Sequence, residues 1–166
     1  GADDLGRYRE EKEALEASGR DRTPEHALAL TNLAACLGAQ GEEEEALKLY
    51  VEAREAHEAA GSTDSPAYAD TVQNIGDHLS GQGDHGGAMA LFVVARDVYR
   101  AAGWEKTLNY AVVLHNMGAC SFKRGRAEDA ALHYSEAMAA YDSVLLGSDA
   151  PQYVELLEDM REAGMA

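Results

Sequence analysis

Around three asparagines, Asn32, Asn74 and Asn116, a whole pattern returns every 42 residues. Gly41, Gly83 and Gly125 share a phase, as do Ala46, Ala88 and Ala130; Tyr50, Phe92 and Tyr134; and Ala53, Ala95 and Ala137. A period of this length means stacked units and excludes a single closed core. Each unit joins two helical stretches across a glycine turn and cannot bury its apolar stripe alone. Neighbouring units must therefore stack, and stacking exposes a long shared surface on which function is expected.

Local signals divide the chain into eight expected helices. Residues 4–18 read as a helix ending at Gly19, and Thr23-Pro24 supplies an N-cap followed by proline at the first helical position. That second helix runs to about Gln40. Gly41 then turns the chain, and Glu42 to Glu45 place carboxylates in the first turn of the next helix, where the helix dipole favours them. Gly61 is the expected left-handed cap. Ser65-Pro66 opens the same plan again, with turns at Gly83 and Gly103. The third unit pairs residues 107–124 with 126–146 across Gly125, and after a loop one residue longer Pro151 starts the last helix. The division expected is an N-terminal helix over 4–19, full repeats over 24–61, 66–103 and 107–147, and a C-terminal helix over 151–163, all in one domain spanning 1–166.

Within each first helix the residues at helical spacing separate into two faces. Leu30, Leu33, Ala34 and Leu37 form the packing face, matched by Val72, Ile75, Gly76 and Leu79 and by Leu114, Met117, Gly118 and Ser121. The small residue at the centre (Ala34, Gly76, Gly118) lets two helices approach closely.

The pattern Asn-Leu-Ala-x-x-Leu-x-x-x-Gly-x-x-x-x-Ala-x-x-x-Tyr-x-x-Ala over residues 32–53 resembles the tetratricopeptide repeat family. The 42-residue length, the Leu-Gly-x-x-x-Pro element from Leu146-Gly147 to Pro151 and the Asn-Leu-Ala run at Asn32 resemble the long-helix repeats of kinesin light chains. The resemblance covers about residues 4–160. It implies an all-α, right-handed solenoid of antiparallel helix pairs, with a concave groove lined by the first helix of each repeat. At the ends Asp4 and Glu11 replace packing alanines, and Arg161 replaces a small residue; solvated caps and a fragment of a longer array both explain this.

Charge narrows the partners. Thirty acidic against 14 basic residues give a net charge of −16, which disfavours nucleic acid, since phosphate binding needs a Lys/Arg stripe, and disfavours an anionic membrane. Acidity suits a basic partner, and it also simply keeps a chain in solution. No apolar run approaches the ~20 residues that span a bilayer, and no signal peptide precedes the repeats. Cys36 and Cys120 share a phase two units apart, beyond the ~7 Å limit for a disulfide; buried, reduced thiols and a cytoplasmic location are expected.

Catalytic signals are poor. No two of the six histidines sit at i, i+3 or i+4, so the helical HExxH-type metal site is absent. Gly81-Gln82-Gly83 lacks the Lys-Ser/Thr of a phosphate loop, and no nucleophile and base pair by spacing. A non-catalytic module with neither cofactor nor metal is expected. By resemblance the groove binds extended peptides. Helical spacing puts Thr31 and Asn32, then Asp70, Gln73, Asn74 and Asp77, then Val112, His115, Asn116, Phe122 and Lys123 on its face. The asparagines can bond the main chain of a ligand or a neighbouring helix. The Lys/Arg clamp of chaperone-binding family members is missing, since Thr31, Ala35 and Val112 stand in its places and only Asn74 matches. Lys123, Arg124 and Arg126 form a basic cluster, which Glu128 and Asp129 can neutralise. Trp104 follows a helix cap and either anchors an interface or covers the helix ends. The first functional reading is a scaffold recruiting a neutral to basic protein or peptide, with self-association through the open ends a further route; the alternative is an intracellular peptide- or ligand-responsive sensor using the same groove.

Overall fold

The computed structural model describes residues 2–144 and 149–165, with side chains from residue 4 onward. Over these residues the chain forms eight helices: α1 (Ala2–Ala17), α2 (Pro24–Gly38), α3 (Glu43–Ala59), α4 (Pro66–Gly81), α5 (His85–Ala101), α6 (Leu108–Lys123), α7 (Ala127–Val144) and α8 (Pro151–Glu162). The end of the third repeat, with Leu146 and Gly147 of the Leu-Gly-x-x-x-Pro element, lies outside the described residues.

The first helix of each pair starts the same way. Thr23 Oγ1, Ser65 Oγ and Thr107 Oγ1 accept from the backbone N–H of His26, Tyr68 and Tyr110 at 3.2, 3.2 and 3.3 Å, satisfying a donor that the first turn leaves open. Each also ends alike. Gly41, Gly83 and Gly125 adopt φ of 86, 87 and 72°, and the next N–H returns to the helix, Glu42 to Leu37 O at 3.0 Å and Asp84 to Leu79 O at 2.9 Å. That closure requires a left-handed residue, which glycine supplies without steric cost.

Packing follows the repeat. The helices form a right-handed α-solenoid in which each packs mainly on its sequence neighbours, while α4 contacts α6 and α6 contacts α8 across one intervening helix. One buried cluster runs through α4 to α8 from Ala69 to Leu156, with Phe92, Tyr134 and Tyr141 at its centre. A second joins α2, α3 and α4 through Leu33, Ala34, Leu37, Ala46, Tyr50 and Ile75, and Leu5 and Tyr8 of α1 close its outer side. Leu79 and Leu91 touch both clusters, so the core is continuous. At the helix contact a Cβ on Gly76 would stand 2.8 Å from the Phe92 ring and one on Gly118 2.4 Å from the Tyr134 ring.

Both cysteines are free thiols, but only Cys120 is buried. Cys36, expected inside, is only partly buried. Trp104 stacks on Tyr99 with ring centroids 6.1 Å apart and planes 11° from parallel, while 37% of its surface stays open. It covers the end of α5 and still offers an aromatic edge. Among the described residues no helix is long and apolar enough to cross a membrane.

Candidate functional site

The helices α2, α4 and α6 line one face, and three cavities run along it. The largest of the three, about 580 Å³, lies between α2, α3 and α4 and is lined by Gly38, Glu43, Glu44, Ala46, Leu47, Tyr50, Asn74, Asp77, His78, Gly81 and Gln82. Asn74 also borders a second, about 300 Å³, with Thr31, Asp70, Gln73, Leu108, Asn109 and Val112. Asp77 also borders a third, about 330 Å³, with Ser80, His85, Phe92, Asn116, Ala119 and Lys123. Asn74 and Asp77, one helical turn apart on α4, thus connect the three into a trough.

Hydrogen bonding shows which side chains remain available. Asp70 accepts from the Tyr99 hydroxyl and, at 2.6 Å, from the Asn109 amide. Burial, and then the Asp70 carboxylate, hold the Tyr99 hydroxyl far above its ordinary range, so it keeps its proton and donates to Asp70. Gln73 Oε1 takes a further bond from the same hydroxyl at 3.3 Å. Asp70 and Gln73 are therefore largely committed. Thr31 bridges to Thr71 at 3.0 Å and donates to its own helix at Ala27 O. Asn74 donates to Asp70 O at 2.8 Å, leaving its carbonyl oxygen free to accept from a ligand. Asn116 donates to Asp77 Oδ1 at 2.6 Å, the neighbouring-helix bond in place of a ligand contact.

Asp77 remains exposed, yet the surrounding walls push its carboxyl up to about 7, against the lowering effect of the Asn116 amide. Water reaching the group screens part of that rise. Asp77 Oδ1 is occupied by Asn116, and no second donor among the described residues holds this carboxylate.

Three sequence-assigned groove residues, Asn32, His115 and Phe122, border none of the three cavities. His115 is 6% exposed; its Nε2 meets Asp159 Oδ2 of α8 at 2.9 Å and its ring packs edge-on against Tyr134 and Tyr141. Helix α8 covers this position, so the ring belongs to the inter-repeat core. Phe122 is half-buried against the same core, and Lys123 Nζ lies 6.0 Å from its ring centre at the end of the trough. In the basic cluster Arg126 pairs with Asp129 at 3.7 Å.

Sequence reading overlooked two features. Tyr50, assigned to packing, also lines the α2/α3/α4 cavity; its only signal was a tyrosine where the second repeat has Phe92. Glu16, His26 and Glu52, from three different helices, gather within 4.8 Å beside another cavity of about 630 Å³. Glu16 Oε1 is already held by Lys12 Nζ at 2.6 Å and His26 Nε2 at 3.2 Å, and buried His26 Nδ1 has no partner that would fix a ligating tautomer. This trio is best described as an ion-paired clasp between α1 and α2.

The repeated capping, the glycine turns and the ring-on-glycine contacts describe one kind of unit, and residues 25–101 match the tetratricopeptide repeat family. The stretch spans α2 to α5 and contains the whole lining of the 580 Å³ cavity. Among curated proteins no sequence match is found. In fold the chain is similar to BtubC (BKLC) from P. vanneervenii, with a TM-score of 0.77, 18% identity, and coverage of 96% of this chain and 68% of that one. It is similar also to a kinesin light chain protein of Podosopora anserina with nearly identical TPR-like repeats, with a TM-score of 0.75, 13% identity, and coverage of 96% and 74%. At these identities the likeness extends to the solenoid and no further.

Proposed function

We propose that this chain is a non-catalytic interaction module that holds an extended, neutral to basic segment of a partner protein along the α2/α4/α6 trough. Tetratricopeptide repeats generally mediate protein–protein interaction and typically act as scaffolds. The observation that carries the reading is the continuity of three cavities through Asn74 and Asp77. Two steps of ~8–10 Å between neighbouring helices give ~16–20 Å of trough, the reach of roughly five or six extended residues. The Asn74 carbonyl oxygen accepts from a ligand main-chain N–H, and Asp77 with Glu43 and Glu44 sets the charge preference.

Capture of partners from a lysate by the 166-residue chain, identification by mass spectrometry and calorimetric titration of the captured protein test this. Asn74→Ala is expected to weaken binding by ~1–3 kcal/mol, the cost of stranding a buried partner group. Placing a charge in the apolar end with Val112→Glu should weaken it further. If affinity is unchanged in both variants, the binding surface is the convex face or an open end.

A further inference from the structure

The 580 Å³ cavity beside Asp77 has a chemistry more specific than general acidity. Its wall is apolar on one side, where Ala46 and Leu47 project from α3, and carries oxygen acceptors on the other. Tyr50 is only 9% exposed as a residue, and its hydroxyl, which has no partner among the described residues, stays open to water. Tyr50 lines the cavity, and its hydroxyl lies within electrostatic reach of the carboxylates of Asp77 on α4 and Glu43 on α3. Burial, reinforced by those two carboxylates, pushes it up to about 12, so its proton stays on. His78 completes the wall, with its Nδ1 3.7 Å from Glu43 Oε2.

We infer that the cavity walled by Glu43, Ala46, Leu47, Tyr50, Asp77 and His78 receives a lysine side chain of the bound segment. The inference rests on the groove reading above and assigns the residue class at its centre. A lysine stem is an apolar four-carbon chain that suits Ala46 and Leu47, and its ammonium offers three donors to acceptors arriving from different directions. Three acceptors of that kind are present: the Tyr50 oxygen, Asp77 Oδ2 and the Glu43 carboxylate. Arginine is the poorer fit. Its planar fork seeks both oxygens of one carboxylate, and Asp77 Oδ1 is already taken by Asn116 at 2.6 Å. The single open oxygen selects a point donor over a fork.

The test uses the whole chain and an array of capped eight-residue peptides with lysine fixed at the fourth position and the others varied. A matched array carries Nε-acetyl-lysine, and a third norleucine, at that position. Wild type should prefer lysine over acetyl-lysine by about tenfold or more, as expected for a hydrogen bond to a charged group. Asp77→Asn keeps the acceptor for Asn116 and removes the charge, and it should collapse that ratio. Tyr50→Phe, a ring the second repeat accommodates as Phe92, should reduce it several-fold without loss of helix by circular dichroism. Val112→Glu lies in a different cavity and should weaken all three arrays together. A lysine preference that survives both Tyr50→Phe and Asp77→Asn, or a wild type with no preference, overturns the lysine pocket while leaving the groove. No binding by any array overturns the groove and the pocket together.

Discussion

Three of the helical glycines, Gly6, Gly76 and Gly118, offer a graded test of what sets the spacing of the helix pairs. A Cβ at Gly6 would meet nothing within 4 Å, so Gly6→Ala should show only the intrinsic helix gain of about 0.5–1 kcal/mol. At Gly76 the added carbon would stand 2.8, 3.1 and 3.2 Å from Cε1, Cδ1 and Cζ of Phe92, the far half of a ring. At Gly118 it would stand 2.4, 2.6 and 3.0 Å from Cδ1, Cε1 and Cγ of Tyr134, the near half, which cannot swing clear without moving the Tyr134 stem. Overpacking costs ~1–3 kcal/mol and the helix gain offsets about 1 of it. The expectation is a near-neutral to ~1 kcal/mol loss for Gly76→Ala and a ~1–2 kcal/mol loss for Gly118→Ala. In a chain of this length each kcal/mol moves the melting temperature by about 2–4 °C, so Gly118→Ala should melt several degrees low while Gly6→Ala melts at or above wild type. Leucine at either contact should cost more than alanine. The assay is thermal and urea unfolding of all variants by circular dichroism. A Gly118→Ala protein as stable as Gly6→Ala would show that ring-on-glycine contact does not fix the pairing of α6 with α7, and the reasoning would fail.

Two further outcomes follow from the site. Tyr99→Phe deletes the donor that Asp70 and Gln73 share but leaves Asn109 on Asp70, and a loss of ~1–2 kcal/mol in urea unfolding is expected; a change near zero would mean that Asn109 alone satisfies the carboxylate. For Asp77 the sign runs opposite to that of an ion-paired carboxylate. Its folded value is raised from 3.8 to about 7, so between those pH values the folded state binds more protons than the unfolded one, and its contribution to stability declines as pH rises through that window. Asp77→Asn should therefore become more favourable relative to wild type from pH 4 to pH 8, by on the order of 1 kcal/mol once solvent screening is allowed for. A difference between variant and wild type that is flat across that range would show that Tyr50, Glu43 and His78 do not crowd the carboxyl as described.

The solenoid was legible because its determinants recur: a residue type that must be small, aromatic or left-handed appears at the same place in each unit, as at Gly76 and Gly118 under Phe92 and Tyr134. Side-chain roles within the groove were less so. Helical spacing assigns a face at 100° per residue, but it does not say whether the next repeat covers that face, and for His115 the covering partner is Asp159, 44 residues away. Asp70 read as a groove contact, and Asn116 was open to a ligand or a neighbouring helix, because their partners, Tyr99, Asn109 and Asp77, lie 29–39 residues away in sequence, on other helices. Tyr50 carries two roles at once, and the packing role is the one that repeats. Glu16, His26 and Glu52 escaped notice because each stands on a different helix, where no i, i+4 rule applies.

The contrast between fixed packing positions and variable groove positions has a consequence for the ligand. Leu33, Ile75 and Met117 must remain apolar because each is almost fully buried, whereas the groove positions one helix face away, buried His115 excepted, carry no such constraint. In α4 they are Asp70, Gln73, Asn74 and Asp77; in α2 their equivalents are Leu28, Thr31, Asn32 and Ala35, and in α6 they are Val112, His115, Asn116 and Ala119. Polarity is therefore concentrated in the middle repeat. Exposed Leu28 stands on α2, and half-buried Val112 beside exposed Leu108 on α6. A trough that is acidic at its centre, with Leu108 and Val112 lining the cavity to one side, suits a segment with a cationic residue in the middle and an apolar residue ~8–10 Å toward those two, roughly three extended positions away. An acidic residue at that central position would face Asp77 and Glu43 across a crowded cavity, where like charges are poorly screened, so the same geometry that admits lysine excludes the commonest competitor segments, those with aspartate or glutamate there.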